Sequence, residues 1–356
     1  MHYPPPVHGA AMVGQYIRES ELVNAEFTNR YINLSTSKRV DEIGQTGIKK
    51  WVRYFGIILK TLENLWFFRP NLVYITLTAQ GIGFYKDAVL VFLAKLHGKK
   101  VIIHFHNKGV QSRQEDTVDN LLYKWVFNNT KVILLAPELY QDVQKYVPKE
   151  QVYYCSNGIP EIKIEVATKA SHEVVLLFLS NLIISKGVLV LLEACKLLIQ
   201  EDVAFKCHFV GGAGDLSEVD FEQKIKELEL GSHVLYLGKK YGDDKIEIFN
   251  DASIFVLPTF YENECFPLVL LEAMQFSLPL VSTDEGGIPS IIDSGINGFV
   301  VPKKDVKSLA EILKKLILDV SLRERMGKAA KLKFDNNYRV AIFEHKIITI
   351  LKAALG

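Results

Sequence analysis

Two glutamates separated by seven residues, Glu264 and Glu272, bracket the apolar stretch Cys265-Phe266-Pro267-Leu268-Val269-Leu270-Leu271. Pro267 reads as the first turn of a helix, where its missing N–H costs nothing, and Val269 to Met274 continue as strong helix formers. Glu264 then sits just outside the helix and Glu272 inside it. The free N–H groups of a helix start suit a phosphate, and carboxylates beside them accept hydrogen bonds from hydroxyls. A phosphate with sugars on either side is a nucleotide-sugar. Two solvated helix glutamates are the competing reading, and the otherwise apolar run around Glu272 speaks against it.

The elements that must position these residues follow from the rest of the chain. Its 356 residues allow two domains of ordinary size, and 49% hydrophobic with 23% charged residues is a globular composition. Short apolar runs alternate with longer amphipathic ones, the pattern of parallel sheets with helical crossovers. Strands are predicted at Leu72–Leu77, Val101–Phe105, Val132–Leu135 and Val152–Cys155. A second set is predicted at Val174–Leu179, Ala204–Val210, Val234–Leu237, Ser253–Leu257 and Leu280–Ser282. Between the sets, Ser156-Asn157-Gly158-Ile159-Pro160 and the polar residues up to about Ser171 read as a domain junction. The expected fold is α/β, with two doubly wound, Rossmann-like domains in tandem. Ligands of such sheets bind beyond the carboxyl ends of the strands, so the two domains would share a central cleft.

No apolar run approaches the ~20 residues of a membrane span. The start Met1-His2-Tyr3-Pro4-Pro5-Pro6 lacks the basic and hydrophobic regions of a signal peptide, which makes the cytoplasm the expected location. Cys155, Cys195, Cys207 and Cys265 show no C-x-x-C pairing, so neither a zinc site nor a disulfide framework is expected. Residues 1–160 hold 19 Lys and Arg against 13 Asp and Glu, and the remainder 23 against 28. The first half is therefore the better candidate to meet something anionic. Pro4 to Met12 looks like a phosphate-binding loop opening a helix. Such a loop ordinarily follows a first, central strand, so a strand of roughly six to eight residues is expected to be missing ahead of it.

In order along the chain, Glu264 and Glu272, Glu285-Gly286-Gly287-Ile288-Pro289 and Asn297-Gly298-Phe299-Val300-Val301-Pro302 resemble the retaining GT-B glycosyltransferases of the group 1 (family 4) type. Pro4 to Gly9, Asn157-Gly158, Lys186-Gly187, Gly211-Gly212-Ala213-Gly214-Asp215 and Val234 to Gly238 support it, so the resemblance spans most of the length. It implies residues 1–160 as an acceptor-side domain, 161–335 as the nucleotide-sugar domain, and 336–356 as a C-terminal helix packing back on the first. It also implies that Glu264 contacts hydroxyls of the donor sugar and Glu272 those of the nucleotide ribose. Where the family has Gly-Phe-Gly after the first acid, this chain has Cys265-Phe266-Pro267, so phosphate contacts would fall to the N–H groups of Phe266 and Leu268. Lys186 stands where the family places a lysine against the donor diphosphate, to offset charge building up on the leaving group. The family's arginine five residues earlier is Asn181, which donates hydrogen bonds without neutralising charge. His106 aligns with a histidine that orients the transferred sugar rather than attacking it, with His104, two residues away on the same face, the competing choice. Gly9 is expected where the first domain's loop meets the donor phosphates, with His8 in place of a usual first glycine.

The implied activity is transfer of a hexose unit, with retention, from a nucleoside diphosphate sugar to a saccharide or polyprenyl-linked acceptor in surface polysaccharide assembly. No cofactor, metal or nucleic-acid partner is expected. Alternatives on the same scaffold are a nucleotide-sugar epimerase and a non-catalytic sugar-nucleotide-binding protein. Ile48 to Lys60 and Trp66-Phe67-Phe68-Arg69 mix bases with large aromatics. They fit an anionic membrane at its inner face, and equally a helix whose Ile57, Ile58, Leu62 and Leu65 pack on its own sheet.

Overall fold

Runs of Val, Ile, Leu and Phe that are buried on both faces form parallel sheets, and both sets of such runs do so here. The computed structural model describes residues 1–37, 47–162 and 173–356. They divide into two compact units, Met1–Pro160 with Tyr338–Gly356, and Glu161–Asn337.

In the first unit β1 (Leu72–Thr76), β2 (Lys100–His104), β3 (Lys131–Leu134) and β4 (Val152–Tyr154) lie side by side in that order, all parallel. Helix Gly81–Leu96 links β1 to β2, and helix Thr117–Phe127 lies between β2 and β3. Successive crossovers in one direction are right-handed, so both helices cover the same face. The C-terminal helix Val340–Leu355 also belongs to this unit and contacts β2. Asn157-Gly158 marks its entry. Ile159 N–H donates to the Tyr338 carbonyl and Val340 N–H to the Ile159 carbonyl, each at 2.9 Å. A Cβ on Gly158 would come within 2.6 Å of Phe343 Cβ, so only glycine lets the two segments pass. At the other end of the unit, Leu34 N–H donates to the Met1 carbonyl at 3.1 Å, and His2 N–H to Thr76 Oγ1 on β1 at 3.0 Å.

Asp87, on helix Gly81–Leu96, is buried and accepts from Thr78 N–H at 2.8 Å. Burial lifts its carboxyl to about 6. The folded state therefore favours the protonated acid, so this group's contribution to stability is full below about pH 4 and is lost as pH rises to about 6, by about 3 kcal/mol. Asp87→Asn is expected to melt higher than the parent near neutral pH, with the gap closing towards about pH 4. Thermal melts across that range check it, and a gap independent of pH would contradict it.

In the second unit β5 (Val175–Leu179), β6 (Lys206–Val210), β7 (Val234–Tyr236), β8 (Ile254–Leu257), β9 (Leu280–Thr283) and β10 (Gly298–Val301) form one parallel sheet in the order β10-β9-β8-β5-β6-β7. The order reverses between β5 and β8, so the carboxyl ends of those two strands flank the switch point where ligands of such sheets bind. β10 was not among the predicted strands. It is short and opens on Gly298, whose missing side chain lets it lie against β9, since a Cβ there would sit 2.0 Å from the Leu280 carbonyl oxygen. A second correction concerns Pro267. It is the N-cap, extended at φ −67° and ψ 116°, and the helix proper is Leu268–Gln275.

Candidate functional site

Three loops at the carboxyl ends of β5, β8 and β9 are stitched to one another. After β5 the chain makes a short turn, Ile184–Lys186, and enters helix Val188–Gln200 through Gly187 at φ +88°. A Cβ on Gly187 would lie 2.2 Å from the Pro258 carbonyl oxygen, so glycine is what lets the β5 loop meet the β8 loop. Across that contact Phe260 N–H donates to the Ser185 carbonyl at 2.7 Å. The β9 loop joins through Gly286 at φ +57°, where a Cβ would fall 2.2 Å from the Glu264 carbonyl oxygen, and through Gly287 N–H, which donates to the Cys265 carbonyl at 2.7 Å. The glycines thus hold Glu264 and Cys265 in place from behind.

This stitching brings Lys186 to Glu264 although 78 positions separate them in sequence. Lys186 Nζ donates to Glu264 Oε2, the two side chains are 16% and 10% exposed, and the ammonium also lies 4.8 Å from the Tyr261 ring centroid. A charge pair that is nearly dry but opens at one edge is a strong local field at the mouth of the switch point.

Glu272 lies on helix Leu268–Gln275 and meets Lys245 of helix Gly242–Asp251, a residue the sequence did not single out. Lys245 Nζ donates to Oε1 at 2.7 Å and lies 2.7 Å from Oε2 as well, off its hydrogen-bonding direction. Oε2 is buried and accepts no hydrogen bond. Cys265, Phe266 and Pro267 are buried, Leu268 is half-buried, and no side chain caps the helix they open. Asn181 points its amide oxygen at Gly212 N–H, 3.2 Å away, and so ties the β5 loop to the β6 loop. Asn181, Lys186, Glu264 to Leu268 and Glu272 therefore share one end of one sheet. Among the described residues no group of three or more His, Cys, Asp or Glu side chains is arranged to hold a metal ion.

His106 and Gly9 belong to the first unit. His106 follows β2, and both of its ring nitrogens are buried without a hydrogen bond. Burial, aided by nearby His8, pushes its pKa down to about 3, so the ring is neutral at any physiological pH. His104 is fully buried, with its Nδ1 2.7 Å from the Tyr74 hydroxyl and its ring centroid 4.2 Å from that of His106. Gly9 is the first residue of helix Gly9–Glu19. His8 is the N-cap there, its Nδ1 accepting from Ala11 N–H at 3.4 Å.

Residues 161–333 match the family model described as Glycosyl transferases group 1. The chain is 28% identical over 268 residues to the amylovoran biosynthesis glycosyltransferase AmsK of Erwinia amylovora, covering 73% of this chain and 65% of that protein. It is 26% identical over 270 residues to the putative colanic acid biosynthesis glycosyltransferase WcaL of Escherichia coli K12, covering 73% and 66%. The matches thus span just under two thirds of these relatives. Among solved structures, Anabaena Alr3699/HepE in complex with UDP superposes with a TM-score of 0.70 at 19% identity, over 84% of this chain and 82% of that one. Sucrose-phosphate synthase of Thermosynechococcus elongatus superposes with a TM-score of 0.72 at 16% identity, over 98% and 94%. The fold is that of these GT-B proteins, two parallel α/β sheets, and the stretch that matches the glycosyl transferases of group 1 lies in the second unit.

Proposed function

We propose that the protein transfers a sugar, with retention, from a nucleoside diphosphate sugar to a saccharide or polyprenyl-linked saccharide in surface polysaccharide assembly, at the cytoplasmic side of the cell membrane. The observation that carries this reading is the pairing of Lys186 with Glu264 at the switch point, with the Glu272 carboxylate and its Lys245 partner on the adjoining helices. The Glu272 carboxylate, held by Lys245, suits a ribose hydroxyl, since its Oε2 accepts no hydrogen bond within the chain and has acceptor capacity left. Lys186 would exchange part of its contact with Glu264 for the diphosphate and offset the charge that grows there as the sugar departs. Glu264, released on one side, would accept from hydroxyls of that sugar. N–H groups at the start of helix Leu268–Gln275 would add to the diphosphate contacts. The neutral ring of His106 is fitted to orient or polarise a hydroxyl rather than to donate a proton as an imidazolium. The relatives in amylovoran and colanic acid biosynthesis support the acceptor class, and a neighbour solved in complex with UDP supports the donor class.

Purified protein with a panel of nucleoside diphosphate sugars and a saccharide acceptor is expected to release the nucleoside diphosphate only when acceptor is present, with the anomeric configuration kept in the product. An epimerised donor without transfer, or binding without turnover, would replace this reading with the epimerase or the binding protein. Within the reading, Glu272→Gln is expected to weaken donor binding by about 1.5 to 3 kcal/mol, because an ionised acceptor of ribose hydroxyls becomes a neutral one. Calorimetry measures this, and an unchanged affinity removes Glu272 from the site.

A further inference from the structure

Among the described residues β1 pairs with β2 alone, which leaves its outer edge free. Leu72, Val73 and Tyr74 on it are only half-buried, whereas Val101 to His104 on β2 are buried throughout. Beside the free edge lies a cavity of about 570 Å³, bounded by residues 72–75 of β1 and by the stretch 28–32. Ile17, Leu65, Leu90, Ile347 and Leu351, from four separate elements, line the rest of it. A slot with chain along two sides and apolar side chains around the remainder has the form of a sheet position buried on both faces.

Met1 lines one end of this slot and already makes the bonds of a strand there. Its amino group donates to the Ile32 carbonyl at 3.2 Å, and its carbonyl accepts from Leu34 N–H at 3.1 Å. Those are the two bonds by which a residue of a parallel strand, here opposite Asn33, joins its neighbour. On the other side His2 N–H reaches Thr76 Oγ1, at the carboxyl end of β1. Helix Gly9–Glu19 closes on the same point, since a Cβ on Gly14 would lie 1.9 Å from the His2 carbonyl oxygen. A glycine that lets a helix press on the strand before it belongs to the strand, loop and helix units of doubly wound sheets. Burial pushes the Met1 amino group down to about 5, so a charge is disfavoured where an uncharged peptide N–H would make the same bond without that cost. Traced backwards from Met1 in this register, an extended chain runs between residues 28–32 and 72–75, through the cavity.

We infer that the slot takes an extended apolar segment of about six residues, joined to the amino group of Met1, as a parallel strand between β1 and the stretch 28–32. Main-chain bonds to both neighbours would hold it, and alternate side chains would enter the apolar surroundings on its two faces. It would also fix the start of the loop from Pro4 to His8, out of which helix Gly9–Glu19 leaves. A strand from a second copy fits less well. Met1 already fills the end of the slot in register, so a segment from elsewhere would have to stop against its amino group, whereas one joined to Met1 continues the bonds it makes.

Two forms of the whole chain test it, each behind the same soluble carrier domain. One has about six Val, Ile and Leu residues directly ahead of Met1, the other a Gly and Ser segment of equal length. The apolar form is expected to melt at least about 5 °C above the Gly and Ser form. Amide hydrogen exchange is expected to slow at least about ten-fold in residues 28–32 and 72–75, with little change in the second unit. Protection of those two stretches in a monomer is the result that supports the inference. Equal exchange in the two forms overturns it, and so does a higher melting temperature without that protection, which would seat the segment elsewhere. A dimer formed by the apolar form alone also overturns it, since the slot would then take its strand from another copy.

Discussion

Lys186→Met is expected to lower turnover of a nucleoside diphosphate sugar by about 10² to 10³-fold, the effect of deleting one preorganised charge that meets a developing anion. It is also expected to lower stability. Glu264, with a side chain only 10% exposed, would be left with no ammonium beside it. Breaking a buried pair from one side costs about 3 to 5 kcal/mol, and the open edge of this one brings the figure to about 2 to 4 kcal/mol. The two effects separate in the double variant Lys186→Met with Glu264→Gln. A neutral amide in place of the stranded carboxylate should recover most of the stability, whereas turnover should stay lost because neither charge is restored. Steady-state kinetics and thermal melts on the two single variants and the double make the comparison. Recovery of both activity and stability would mean that the pair is only a structural clamp.

Gly286→Ala is expected to cost about 3 kcal/mol or more and to weaken donor binding more than ten-fold. Its φ of +57° is one a side chain adopts at some cost, and the added Cβ would stand 2.2 Å from the Glu264 carbonyl oxygen. Backbone cannot yield there without shifting Glu264 and Cys265, whose carbonyl takes the Gly287 N–H. Gly295→Ala is the control. Its φ is +86° and its Cβ would enter open space, so it should pay only the left-handed backbone cost of about 1 to 2 kcal/mol and leave donor binding intact. Equal losses in the two variants would contradict the close contact as the cause.

Most strands could be read from the chain because a parallel sheet buried on both faces needs unbroken apolar runs, and Val175–Leu179 or Ile254–Leu257 are such runs. β10 escaped because it opens on a glycine chosen for its close approach to β9 rather than for strand propensity. Glu264 and Glu272 stood out because acids among apolar residues need a reason. Lys186 was marked by the resemblance, though not its pairing with Glu264 across 78 positions, and Lys245 is an ordinary lysine until the fold brings it to Glu272 across 27. Gly187 and Gly286 came as parts of the motifs that carry the resemblance, and their part in pressing three loops together is visible only in space. The apolar outer surface of helices Ile48–Glu63 and Gly81–Leu96 was half legible. The stretch 48–69 announced itself by mixing bases with aromatics, whereas helix Gly81–Leu96, apolar on every side, resembles an ordinary core helix until its outer stripe is seen uncovered.

The central claim is that the end of the second sheet holds a nucleoside diphosphate sugar between Lys186, Glu264 and Glu272. Titration calorimetry of the intact protein with a set of nucleoside diphosphates and their sugars tests it most directly. One base is expected to bind saturably, with affinity reduced at least ten-fold in both Lys186→Met and Glu272→Gln and unchanged in Gly295→Ala. Absence of binding by every nucleotide, or equal affinity in all four proteins, would contradict it.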